Sequence, residues 1–125
     1  MLFRSEGRDD VRLLMADVHA LPFGDASFDR VLHVGGVNGF RSPSRALEEM
    51  ARVAVPGTPI VVVDEQLDHS RRPNLYHKAM FKLVTWYDDH PHCPLEAVPA
   101  GATSVVEDQL TLFFFALTFK MPART

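Results

Sequence analysis

The sequence predicts an α/β fold: a mostly parallel sheet with helices on its faces and an antiparallel hairpin at its end. Three observations carry this. Three short apolar runs, Val11–Ala16, Arg30–Gly35 and Pro59–Asp64, have a helix-period segment between the second and third, the mark of a β-α-β unit. The runs are nearly continuous in apolar residues, as strands buried on both faces are. Two final runs, Ala102–Glu107 and Thr111–Lys120, are joined by a short connection around Asp108-Gln109, which is hairpin spacing.

The first run, Val11–Ala16, ends at Asp17. A carboxylate there would project from the carboxyl edge of a parallel sheet, where open α/β sheets bind ligands. Leu21-Pro22-Phe23 turns the chain away, because Pro22 fixes φ and removes a donor. Gly24-Asp25-Ala26-Ser27 reads as a surface turn. Phe28 anchors the return, and Asp29 precedes the second strand. His33 is the one polar residue inside that strand; it reads either as a satisfied core histidine or as a residue near a bound ligand. Gly35-Gly36-Val37-Asn38-Gly39-Phe40 follows, where glycines permit close backbone approach. It reads as a plain connecting loop or as a ligand-contacting one.

Ser42 and Pro43 suit the N-cap and first position of a helix. From Ser44 to Val53, Ala46, Leu47, Met50 and Val53 share one face. Glu48 and Glu49 alternate with Arg45 and Arg52 and are expected on the solvated side, as surface support. Pro56-Gly57 ends the helix. Asp64 and Glu65 close the third strand on opposite faces, which disfavours a shared metal site and suits a cap on the next turn. Leu75–Tyr87 has a helical apolar period through Leu75, Ala79, Leu83 and Trp86 or Tyr87. Asp88-Asp89-His90-Pro91-His92-Cys93-Pro94 puts ligand-type residues in a row, but no second half of a metal site exists elsewhere, so no metal is expected.

Composition sets the outer bounds. The chain has 125 residues, 46% hydrophobic and 23% charged, which suits one globular domain. A formal charge of -3 leaves no basic footprint for nucleic acid. No apolar run approaches the ~20 residues that span a bilayer. The opening MLFRSEGRDD lacks the apolar core of a signal peptide, and one cysteine makes no internal disulfide, so a cytoplasmic location is expected.

Several motifs recur in a specific order: Asp17 with Leu21-Pro22-Phe23, then Asp25-Ala26-Ser27-Phe28-Asp29, then Ala46-Leu47-Glu48-Glu49-Met50-Ala51-Arg52-Val53, then Pro56-Gly57. This series resembles the class I S-adenosylmethionine-dependent methyltransferases, in the branch of the ubiquinone and menaquinone biosynthesis enzymes. The resemblance runs roughly from Val11 to Pro122 and is weakest between Asp68 and Pro99. It implies a partial Rossmann-like methyltransferase sheet. A complete family domain begins with a strand, a Gly-x-Gly-x-Gly turn, a helix and a second strand ending in an acid, and none of these precedes Val11. The chain is therefore expected to be the C-terminal two-thirds of such a domain, lacking the first two family strands.

The resemblance also has implications for a site. S-adenosylmethionine is the implied cofactor, with Asp17 and the Val18 backbone on its adenine and the Val34 backbone lining its cleft. Asn38 and His33 become the candidates for orienting a small methyl acceptor, and the Leu75–Tyr87 helix either caps a hydrophobic acceptor pocket or packs on the sheet. No catalytic acid–base pair is implied. Without the glycine turn, cofactor binding by the isolated chain is expected to be weak or absent. The alternatives are a non-catalytic remnant acting as a binding or oligomerisation module, and an unrelated small α/β binding protein. In the family the two absent strands lie between Val11–Ala16 and Arg30–Gly35. Those two runs are thus expected either to pair directly or to leave an apolar edge, and an open edge favours a homodimer.

Overall fold

The structure is a computed structural model that describes residues 11–68, 73–86 and 91–123. Four strands, β1 (Val31–Val34), β2 (Ile60–Glu65), β3 (Thr103–Gln109) and β4 (Phe114–Lys120), form one sheet in the order β1-β2-β4-β3. β1 and β2 pair in parallel, with His33 opposite Val62 and Val34 opposite Val63. β4 is antiparallel to both β2 and β3. Three strands therefore run one way, and the last strand of the chain is inserted between two of them.

Helix α1 (Pro43–Val53) makes the crossover from β1 to β2. Its start follows the sequence rule: the Ser42 hydroxyl accepts the N–H of Arg45 at 3.3 Å, with Pro43 in the first turn. Its inner face buries Ala46, Leu47, Met50 and Val53 against Ile60 and Val62 of β2 and Phe115, Leu117 and Phe119 of β4. These strand residues alternate along β2 and β4, so one sheet face forms the core. Each fully buried large side chain contributes about 1.5–3 kcal/mol. The opposite face is thinly covered: Leu32 and Val34 are each 67% exposed.

Four expectations change. Val11–Ala16 pairs with no described strand, and Leu13, Leu14 and Met15 stand exposed. Apolar sequence makes a strand only where a neighbour takes up its backbone groups, and among the described residues β1 pairs only with β2. Of the two outcomes foreseen, the described residues show the open edge. The hairpin turn lies later than expected: Asp108 and Gln109 belong to β3, and Leu110–Phe113 make the turn, closed by the Leu110 N–H on the Phe114 carbonyl at 2.9 Å. Helix α2 (Leu75–Val84) buries Phe81, with Thr85 buried one turn on, whereas Leu75, Leu83 and Trp86 are exposed. Phe81 meets Phe113 of the hairpin turn at 5.4 Å between ring centroids, and that aromatic contact overrides the longer apolar stripe. Glu49 is the fourth; it is buried and belongs with the site below. No helix among the described residues is long and apolar enough to cross a membrane.

Candidate functional site

The carboxyl end of β1 opens into consecutive glycines. Gly35 and Gly36 have φ of +81° and +83°, the left-handed region where a side chain is strained. A Cβ built on either would meet nothing within 4 Å, so open space borders the backbone on that edge. The Gly35 N–H still continues the ladder, donating to the Val63 carbonyl at 2.8 Å. A short 3-10 turn, Val37–Gly39, follows.

Asp64 holds this turn in place. It is 1% exposed at the end of β2, and its Oδ2 accepts the Val37 N–H at 2.6 Å and the Asn38 N–H at 3.4 Å. Its Oδ1 accepts the Glu65 N–H at 2.8 Å. The expected capping role at the end of this strand thus falls to Asp64, and the turn it caps belongs to the neighbouring β1 connection. Backbone N–H groups and a helical-turn start satisfy the carboxylate, with no counter-cation among the described residues.

The second flank is Asp17–Leu21. The Asp17 Oδ1 accepts the His19 N–H at 2.9 Å and faces the His19 Nδ1 at 2.8 Å. These bonds, the backbone one foremost, hold the exposed Asp17 carboxyl below its ordinary pKa. Val18 packs on the core. Phe40 joins the two flanks. Its ring meets His19 edge-on at 5.9 Å and lies tilted against His33 at 5.0 Å. Burial pushes the His33 imidazole below its ordinary pKa, against the opposing field of Asp64 and a backbone hydrogen bond at Gly35. A neutral ring is the outcome, and its Nε2 is buried without a hydrogen-bond partner among the described residues, as is the Asn38 Nδ2.

The residues expected from sequence therefore divide. His33, Val34 and Asn38 sit on one strand end and its turn, and Asp17 and Val18 reach the same rim through His19 and Phe40. Sequence reasoning missed the support beneath them. Glu49, expected on the solvated side, is 2% exposed. Its Oε2 accepts the Leu21 N–H at 2.8 Å, and Arg52 binds both of its oxygens at 2.9 Å. Arg52 also donates to the Leu21 carbonyl at 3.0 Å, the Phe23 carbonyl at 2.7 Å and Asp25 at 3.0 Å. The Arg52 pairing drives the Glu49 carboxyl down to about 2. The signal was present in the period: Glu49 stands three residues after Ala46 and four before Val53, on the buried face.

Two other features lie apart. Asp88, Asp89 and His90 of the ligand-type run lie outside the described residues, while His92 pairs with Glu96 at 2.8 Å and Cys93 is buried. A groove of about 1040 Å³ bordered by Asp25, Arg52, Gly101 and Met121 opens near the amino ends of β2 and β3, away from the glycine edge.

The family described as a methyltransferase domain matches residues 2–62. The demethylmenaquinone methyltransferase of Renibacterium salmoninarum is 42% identical over 57 residues, 46% of this chain and 24% of that protein. The demethylmenaquinone methyltransferase of Paenarthrobacter aurescens is 32% identical over 98 residues, 78% of this chain and 34% of that protein. The chain thus spans about a third or less of the length of these relatives. A solved SAM-dependent methyltransferase from Thermotoga maritima, described as a possible histamine N-methyltransferase, shares the fold with a TM-score of 0.60 at 20% identity, over 88% of this chain and 64% of that one. Motif order, sequence match and sheet point the same way: the chain is similar to methyltransferase domains over residues 2–62 and shares the fold of a solved S-adenosylmethionine-dependent methyltransferase.

Proposed function

We propose that this chain forms the adenine-side and acceptor-side rim of an S-adenosylmethionine-dependent methyltransferase site serving a small apolar acceptor. The observation that carries the reading is the joined rim. The open glycine edge after β1 and the Asp17 flank meet through Phe40. The donor set fits the cofactor, since an exposed carboxylate suits an adenine amine and bare glycine backbone leaves room for a ligand. The names of the relatives support a quinone-like acceptor.

When bound, S-adenosylmethionine supplies a methyl group already activated by its sulfonium. The chain's own work is placement. Asp17 and the Val18 backbone hold the adenine side, the Val34 backbone lines the cleft, and Asn38 and His33 orient the acceptor. In-line placement of this kind is worth about 7–11 kcal/mol of barrier, which is why no acid–base pair is needed. The sequence carries no Gly-x-Gly-x-Gly turn, so its own hold on the cofactor is weak.

Amide-shift NMR during titration with S-adenosylmethionine to millimolar concentration tests this. Expected are shifts confined to Val18, Gly35, Gly36 and Asn38, with Asp17→Ala weakening the interaction about tenfold to a hundredfold. Shifts elsewhere, none at all, or an Asp17→Ala variant that binds equally overturn the placement.

A second reading, an oligomerisation module, is favoured by the uncovered sheet. The β1 edge and the exposed Leu32 and Val34 offer an apolar pairing surface, and Val11–Ala16 of the same chain is an apolar segment without a strand partner among the described residues. The occupant proposed is that segment from a second copy, giving a homodimer. Light scattering on a gel-filtration column decides it, since a monomer at micromolar concentration overturns the dimer. A cytoplasmic location is part of the same proposal, supported by the single, buried cysteine.

A further inference from the structure

His19 occupies an unspecified position of the acid-x-x-x-Leu-Pro-Phe pattern, yet its ring is among the most constrained at the rim. Its side chain is 14% exposed, whereas that of Asp17 is 58% exposed. Nδ1 lies 2.8 Å from the Asp17 Oδ1, and Nε2 lies 3.2 Å from the backbone nitrogen of Ser42. The Ser42 N–H can only donate, so Nε2 is the acceptor and the ring proton sits on Nδ1, directed at the carboxylate. The His19 carbonyl is held in turn by the Arg45 Nε at 3.1 Å, and Phe40 packs on the ring edge. The second Asp17 oxygen, Oδ2, receives no hydrogen bond from the described residues. The charge of Arg41 also reaches Asp17.

We infer that His19 is a positioning residue: it ties the Asp17 carboxylate to the N-cap of α1, occupying Oδ1 and leaving Oδ2 to accept from a ligand amine. This rests on the reading of Asp17 as the adenine-side group. The arrangement makes ligand contact and helix start one unit. A carboxylate on a free turn would lose affinity to its own mobility, and fixing it beforehand removes that cost.

Two measurements test the inference. Long-range proton–nitrogen correlation on the wild-type chain is expected to show His19 protonated at Nδ1 and bare at Nε2, and the opposite tautomer overturns the relay. Titration with S-adenosylhomocysteine, followed by amide shifts, is then compared across variants. His19→Ala is expected to bind about tenfold more weakly. His19→Asn, whose amide nitrogen replaces Nδ1 but reaches no further toward Ser42, is expected to recover only part of the loss, and full recovery overturns the tie to the N-cap. Equal affinity of His19→Ala and wild type overturns the positioning role alone. Absence of any shift in the wild type overturns both that role and the cofactor reading.

Discussion

Glu49 accepts the backbone N–H of Leu21 at 2.8 Å while lying 2% exposed on the inner side of α1. Twenty-eight residues separate the two in sequence. Arg52 closes the arrangement by binding the same carboxylate and the Leu21 carbonyl. The turn that follows Asp17 is thereby fastened to the helix that crosses from β1 to β2.

This fastening is pH-dependent with a definite sign. The folded carboxyl of Glu49 is lowered from 4.5 to about 2. Its stabilisation is therefore complete above about pH 5 and is lost as the pH falls from 4.5 toward 2. Urea midpoints measured through this window should drop steeply for the wild type and less steeply for Glu49→Gln. Parallel curves would show that Glu49 does not carry the acid sensitivity.

Asp64 makes a second, independent demand. Replacing it by alanine leaves the Val37 and Glu65 N–H groups without their acceptor. The expected loss is about 1–3 kcal/mol in chemical denaturation. Amide exchange at Val37 should quicken more than at Leu117 in the core. Unchanged exchange at Val37 would mean that the turn holds itself.

Cys93 is expected to be silent in the folded protein. It is buried, its N–H donates to the Gln66 side chain at 2.7 Å, and burial, with Glu107 and Glu96 nearby, pushes the thiol up to about 12. A colorimetric thiol reagent at pH 8 should react only after denaturant is added. Rapid labelling under native conditions would place this residue outside the core.

Strands β1, β2 and β4 and helix α1 are legible in the sequence because each carries its own pattern: β-branched runs, or a cap followed by an apolar period. The inner face of β2 could be read to its last residue, since Ile60, Val62 and Asp64 alternate into the core. What is not legible is decided by partners distant in the chain. Val11–Ala16 has strand composition, but pairing depends on a neighbour that composition cannot supply. The inner side of α2 is chosen by Phe113, 32 residues beyond Phe81, against the stripe that Leu75, Leu83 and Trp86 suggest. His19 is illegible for the same reason, because its acceptor role depends on Ser42 across the rim.

The five donations of Arg52, spread over Glu49, Asp25 and the Leu21 and Phe23 carbonyls, make two motifs interdependent. Leu21-Pro22-Phe23 and the Glu49–Arg52 turn of α1 lie on either side of β1. A chimaera of two homologues joined anywhere between Phe28 and Pro43 would inherit one motif from each parent. Such hybrids are viable only where both parents place the same loop carbonyls before the same arginine, so even a junction in the loops flanking β1, where no secondary structure is cut, is constrained by a contact on its two sides.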